Sequence, residues 1–416
     1  MKHFFRLLHR VTVLMRDMVA SEPLEFKNLS RLRLIERIRE LEARIASIKP
    51  EYLSSSQART LLSLSNHTSI SEGLPVSDAQ TSRVLHHIKT PKIMRHFDFS
   101  AYNHTRIALK FAYLGSNYNG LVTQKDTTPL PTVEEKIIAA LLHTRLISSF
   151  ESCDFARCGR TDKGVSAFGQ VMSLLVRDIG SGGDYVGLLN KVLPDDIRIL
   201  AQARVDDSFS ARFSCTGRWY KYFFHARNLD ISRMKKAASY FLGENDFKNF
   251  CKVDNTKKIS TYKRLIRRAE IDEDEDGIWV FNLEGSAFLW HQVRCMMAIL
   301  FRVGQGIEEP EIVLKLMDTE NVSVRPNYPY AWDTPLVLYD TSFDGVQWVY
   351  PDTMSETGIF VKDKIWQGWH EAKIKERLWN LLKGVADVQE DQWVKKGVYD
   401  GRGKIQPVKN YKTLVP

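Results

Sequence analysis

The sequence predicts an α+β protein: two similar α/β halves with mixed, mainly antiparallel sheets joined around a basic cleft, with helical extensions at both ends. Three observations predict it. From Thr105 the chain runs strand, helix, loop, strand, helix, strand, the order of a mixed sheet covered by helices on one face. From about 214 to 345 a second unit of similar order follows, although no direct repeat of residues accompanies it. Before both lies a stretch too polar and too small in side chain to build a core.

Each element has its own signal. TRIALKFAYLG is dense in apolar residues and ends at Gly, as a strand does. Thr132 and Glu135 make a capping box that opens the helix VEEKIIAALLHTRLI. FGQVMSLLVRD and IRILAQARV read as strands, and YVGLLNKVL between them as a short helix stopped by Pro194. In the second half RWYKYFFHA alternates aromatics, ISRMKKAASYFLG is helical, and KRLIRRAEIDE and GIWVFNLEGSA flank an acidic turn. FLWHQVRCMMAILFRVGQG is a helix closed by Gly, and LVLYDTSF a last strand. The expected organisation is a basic, helical extension over 1–53, a Ser/Thr-rich linker over 54–104, halves over 105–213 and 214–345, and an extension over 346–416 with IKERLWNLLKGV as a helix. Within the first segment, Leu34, Ile38, Leu41, Ile45 and Ile48 form one apolar stripe that Pro50 ends.

Bulk properties narrow the function classes. With 416 residues and 44% hydrophobic composition the chain can bury a large core. It lacks an apolar run near the roughly 20 residues of a membrane helix, so no membrane role is expected. A net charge of +9 favours an anionic partner. Five cysteines at scattered spacings, Cys153, Cys158, Cys215, Cys251 and Cys295, fit buried thiols in a reducing compartment better than a disulfide framework or a zinc site. The basic, apolar first twenty residues are compatible with an organelle-targeting segment and equally with a plain extension.

The most informative segment is Cys158–Gln170, CGRTDKGVSAFGQ. It sets a carboxylate, Asp162, between Arg160 and Lys163 in a glycine-bearing loop that leads straight into an apolar strand. A polar-basic loop of this kind is ordinarily a solvated turn. At the mouth of a sheet, however, the same arrangement keeps a carboxylate ionised and next to any bound polyanion.

These residues resemble the central motif of the TruA-type tRNA pseudouridine synthases. Three further segments resemble that family's motifs in the same order: YLGSNYNGLVTQ, FSARFSCTGRWYKYFF and GSAFLWHQVRCMMAILFRVGQG. Lys163, SAFGQVMSL, GENDFKNFCKVD and HQVRCMMAILF resemble the eukaryotic branch that acts on tRNA positions 38 and 39. Leu121 departs from the aromatic that the wider family often carries there. The resemblance implies that Asp162 is the catalytic aspartate, Tyr220 the tyrosine that stacks on the target uracil, and Arg294 the arginine that pairs with the aspartate. Arg160 would fill the space of the flipped base, and Lys163 would touch the RNA.

It further implies tRNA as partner, a homodimer, and residence in nucleus and cytoplasm, with a mitochondrial address left open by the basic N-terminus. The implied reaction is a net isomerisation from a C1′–N1 to a C1′–C5 bond, which calls for no cofactor, metal or ATP. The sequence carries no phosphate loop and no metal-ligand cluster. Physical chemistry is consistent with these roles. A stacked base must be flipped out at a cost of a few kcal/mol, and an aromatic platform returns roughly 1–3 kcal/mol per base. Two rivals stand beside this reading: a non-catalytic tRNA-binding protein on the same scaffold, and a hydrolase that uses the same Asp to release free uracil.

Overall fold

The computed structural model describes residues 97–386, leaving out 125, 127, 254–258 and 276, together with 398–399, 405–406 and 414–415. The N-terminal stripe, residues 54–96 of the Ser/Thr-rich linker and Lys257-Lys258 lie outside the described residues, while the last residues assigned to that linker hold a short 3-10 turn, Phe99–Ala101, and the first residue of a strand.

The first strand, β1 (His104–Tyr113), pairs antiparallel with β3 (Ser166–Arg177) and β4 (Ile197–Arg204). Helix α1 (Val133–His143) and a two-residue strand β2 (Ala156–Arg157) separate β1 from β3, and α2 (Tyr185–Asn190) separates β3 from β4. The capping box of α1 forms in full: Thr132 Oγ1 accepts from Glu135 N at 3.3 Å, and Thr132 N donates to Glu135 Oε2 at 3.0 Å.

The second half contributes β5 (Cys215–His225), α3 (Ile231–Ser239), β6 (Gly243–Asp246), β7 (Lys263–Glu273) and β8 (Ile278–Gly285). Helices α4 (Gln292–Gly304) and α5 (Ile312–Met317) and strand β9 (Leu336–Phe343) complete it.

The strands form one continuous nine-stranded sheet, in the order β4-β1-β3-β9-β5-β8-β7-β6 with β2 on β3. The two halves therefore share a sheet. β9, the last strand of the second half, lies between β3 and β5. It pairs parallel with β3 (Ser166 with Val337, Ala167 with Leu338) and antiparallel with β5. β3 is central and covered on both faces, which is why it reads as a near-continuous apolar run.

Alternate strand residues face a large core that includes buried side chains from α1 to α5. Ile107, Leu109 and Phe111 of β1 and Tyr222 and Phe224 of β5 belong to it. A smaller cluster around Ala108, Cys158, Val171 and Ala203 lies apart from it. α4 is apolar almost all round, and every residue of it except Arg294 is buried. The C-terminal helix α6 is longer than IKERLWNLLKGV, spanning Glu356–Val385. Its start docks on the α2 region through Thr357 Oγ1 to Asp184 Oδ2 at 2.5 Å and Lys364 to Asp195 at 3.1 Å. Beyond that its aromatics, Trp366, Trp369 and Trp379, are exposed. Among the described residues no helix is long and apolar enough to cross a membrane.

Candidate active site

The Asp162 loop is held by backbone contacts. Gly159 and Gln170 bond reciprocally, N to Oε1 and O to Nε2, both at 3.2 Å. Tyr113 Oη and Thr161 Oγ1 share a hydrogen bond of 2.6 Å. The 115–122 segment underlies the loop: Leu121 N donates to Thr161 O and Gly164 N to Tyr118 O. Two glycines permit that approach. A Cβ on Gly115 would stand 2.1 Å from the Val165 carbonyl oxygen, and one on Gly120 (φ +91°) 3.0 Å from that of Thr161. Leu121 is buried against this loop. Asp162 emerges with its side chain 26% exposed. Arg160 and Lys163 on either side are exposed, and neither has a protein partner among the described residues.

Sheet register brings Tyr220 to the same place. Ala167, five positions after Asp162, pairs with Leu338, and Leu338 pairs with Tyr220 across β9. Tyr222 and Phe224 are sheet core, fully packed, whereas Tyr220 at 9% exposure lies at the core's edge. Its ring meets Phe288 edge to face at 5.0 Å. Burial pushes the Tyr220 phenol above its ordinary range, only partly opposed by the positive charge of Arg218. The hydroxyl therefore holds its proton at neutral pH.

Arg294 departs from expectation. Its Nε donates to Ala331 O at 2.8 Å, and its Nη2 lies 3.7 Å from Asp333 Oδ2. Among the described residues it makes no ion pair with Asp162. The cause is local. The 328–333 segment runs along α4 and offers Arg294 a carbonyl and a carboxylate, while its own Ala331 N bonds back to Arg294 O. Asp162 instead faces His291, whose Nε2 is 3.4 Å from Asp162 Oδ2.

A carboxylate on a braced loop, a tyrosine at the edge of the core and an arginine on a buried helix thus converge from widely separated parts of the chain. Residues 237–344 match the family model described as tRNA pseudouridine synthase. The tRNA pseudouridine(38/39) synthase of Saccharomyces cerevisiae is 47% identical over 335 residues, covering 76% of this chain and 76% of that protein. The chain belongs to the tRNA pseudouridine synthase family. The human tRNA pseudouridine(38/39) synthase is 39% identical over 386 residues, 86% of this chain and 75% of the human one. The tRNA pseudouridine synthase A of Methanothrix thermoacetophila is 33% identical over 244 residues, 58% of this chain and 85% of that one.

For a pseudouridine synthase the surroundings of the three residues matter as much as the residues. Arg218 ties the two sides together: its Nη2 donates to Cys158 O at 2.9 Å and its Nη1 to Ser286 O at 2.6 Å. Asp333 stands beside the loop as well as beside Arg294, because a Cβ on Gly164 (φ +79°) would meet its carboxylate at 3.0 Å. Neither Arg218, Asp333 nor His291 was singled out from the sequence. Arg218 and His291 lie inside the quoted motifs, two residues before Tyr220 and three before Arg294, a spacing that one strand face or one helical turn brings together.

Cys158, next to the loop, donates to Cys215 Sγ at 3.3 Å, and all five cysteines are free. That hydrogen bond raises the Cys158 thiol and lowers that of Cys215. No cluster of three or more His, Cys, Asp or Glu side chains suited to a metal occurs among the described residues. Of the basic run Lys263–Arg268, Arg268 is engaged with Glu270 at 2.7 Å, and Arg267 lies 3.9 Å from Glu284. Lys263 is exposed.

Proposed function

We propose that this chain isomerises uridine to pseudouridine at positions 38 and 39 of the tRNA anticodon stem-loop, with Asp162, Tyr220 and Arg294 as its catalytic residues. The position follows the names of the yeast and human relatives. The observation that carries the chemistry is the exposed edge of Asp162 on a loop that backbone and glycine contacts keep rigid, beside a tyrosine ring at the margin of the core. A nucleophile or base must be reachable yet fixed in direction, and a braced loop on a sheet supplies both.

In this reading the target uridine leaves the helical stack, and Arg160, exposed and without a protein partner among the described residues, fills the gap and meets phosphate. Asp162 acts on the ribose, by attack at C1′ or by abstraction of a ribose proton. The C1′–N1 bond breaks, the uracil turns on the face of Tyr220, and a C1′–C5 bond forms. The proton on C5 then leaves and N1 gains one, so that no atom is gained or lost. Because burial keeps the Tyr220 phenol protonated, it accepts the C5 proton only in step with passing on its own. Lys163 adds phosphate contact beside the loop. The reading also includes the homodimer implied by the family resemblance, which the molar mass in solution tests.

The deciding experiment incubates the protein with unmodified tRNA and maps pseudouridine at nucleotide resolution. Conversion at 38 and 39 is expected, and Asp162→Asn should reduce it to background while tRNA binding survives. Release of free uracil would mark a hydrolase, binding without conversion would mark a non-catalytic RNA-binding protein, and substantial turnover by the Asn variant would remove Asp162 from its role.

A further inference from the structure

We propose that His291 is a positioning residue for Asp162: it donates from Nε2 to the carboxylate and fixes its direction toward the ribose. This rests on the reading of Asp162 as the catalytic carboxylate. Four observations carry it. The Nε2–Oδ2 distance of 3.4 Å makes His291 the cationic or proton-bearing side chain that faces Asp162 within ion-pair range among the described residues. In an unliganded site such contacts are commonly long and shorten when substrate closes on them.

The second observation is backbone. His291 caps α4 at φ +60° and ψ +12°, the left-handed region, which few non-glycine residues occupy. Its side chain does not cap the helix, so capping does not account for that conformation. Held strain at a residue facing a reactive group is a recurrent property of functional sites.

Third, the ring is locked. Tyr330 meets it edge to face at 4.5 Å, Trp290 lies at 5.1 Å, and the side chain is 13% exposed. Fourth, Nδ1 is buried without a hydrogen-bond partner among the described residues. A neutral imidazole carries one N–H. With no acceptor at Nδ1, the tautomer that uses its proton carries it on Nε2, facing the carboxylate. Among the described residues the polar group that the ring approaches is the Asp162 carboxylate, at 3.4 Å. Arg294, which the family resemblance assigns to the aspartate, is drawn to Ala331 and Asp333 and leaves this place to His291.

The test separates rate from affinity and from folding. His291→Asn suits the left-handed backbone but is too short to reach Asp162. His291→Gln reaches with an amide N–H. Each variant and wild type are assayed for single-turnover pseudouridine formation on unmodified tRNA, for tRNA affinity by filter binding, and for thermal melting, with Asp162→Asn as control. The Asn variant should be slower by about tenfold to 10²-fold, the size expected from a misplaced reacting group, with affinity unchanged. The Gln variant should regain most of the rate. An Asn variant as fast as wild type, or a slow Gln variant that melts like wild type, overturns the proposal. If the Asn variant does not fold, the Gln variant decides by the same rule. A purely structural histidine would lower melting temperature while leaving the rate of the folded enzyme intact, which also overturns it. Residual turnover by Asp162→Asn removes the underlying reading instead, an outcome distinct from any of these.

Discussion

The Asp162 loop and helix α4 face each other across the site and are held in opposite ways. The loop has little apolar material of its own. It is fixed by backbone bonds to Tyr118 and Leu121, by the side-chain amide of Gln170, and by glycines that let two chain segments touch. α4 is fixed by packing: Met296, Met297, Ile299, Leu300 and Phe301 are fully buried, and the helix has no side-chain cap. A loop held by directed bonds fixes one functional group narrowly and tolerates little change in backbone. A helix held by packing fixes its polar residues only as far as the core holds the axis, and neighbouring segments then select their partners. The pairing of Arg294 with Asp333 rather than Asp162 is an instance.

Four measurements press on that difference. After Asp162 itself, the largest effect is expected at Tyr220, where ring and hydroxyl separate. Tyr220→Phe should retain tRNA affinity and lose about 10²–10⁴-fold in single-turnover rate, as removal of a proton carrier does. Tyr220→Ala should in addition weaken the hold on the flipped base by roughly 1–3 kcal/mol. A Phe variant as fast as wild type would leave the ring as a platform only.

Next comes Gly115→Ala, whose new Cβ would collide with the Val165 carbonyl. The loop must move, and a displacement of this kind should cost on the order of 10²-fold in rate. Its counterpart on the other side is Leu300→Ala in α4. There the expected loss is about 2–5 kcal/mol of stability from a cavity, read by urea titration, with the rate of the folded enzyme little changed. If instead the glycine variant lost only stability, or the leucine variant only rate, the contrast between the two regions would be wrong.

The mildest test addresses charge. Arg160 and Lys163 project from the loop without partners among the described residues, so tRNA affinity should fall roughly tenfold or more between about 50 and 200 mM salt. The double alanine variant should show a flatter slope, and a slope equal to that of wild type would place the phosphate contacts elsewhere.

Much of this was legible in the residues. Strands such as Lys263–Glu273 and Leu336–Phe343 coincide with their apolar patterns, and Met296, Met297, Ile299 and Leu300 announced a buried α4. β2 and β6 were not foreseen, since Ala-Arg and Gly-Glu-Asn-Asp carry neither alternation nor β-branched residues. The short α5 also escaped notice. The length of α6 was missed because its exposed Trp and Leu residues do not form one stripe. The three motif residues were proposed from their neighbours in sequence. His291 and Asp333 were not, because their importance comes from contacts with residues far away in the chain, which no local pattern records.

The place of β9 has a consequence for the order in which the protein is made. A ribosome delivers β3 and the Asp162 loop long before it delivers Leu336–Phe343, yet those eight residues hydrogen-bond both β3 and β5. Until they arrive, β3 has a free edge beside the Asp162 loop, and β5 has another beside Tyr220. The segment that fastens Arg294, residues 328–333, comes just ahead of β9. Contacts this distant in sequence form slowly, and unpaired strand edges invite pairing with other chains. Between the delivery of Asp162 and that of Leu336–Phe343 the nascent chain thus carries this carboxylate without the strand that joins its side of the sheet to Tyr220, and on the proposed reading activity should appear only with the closing strand.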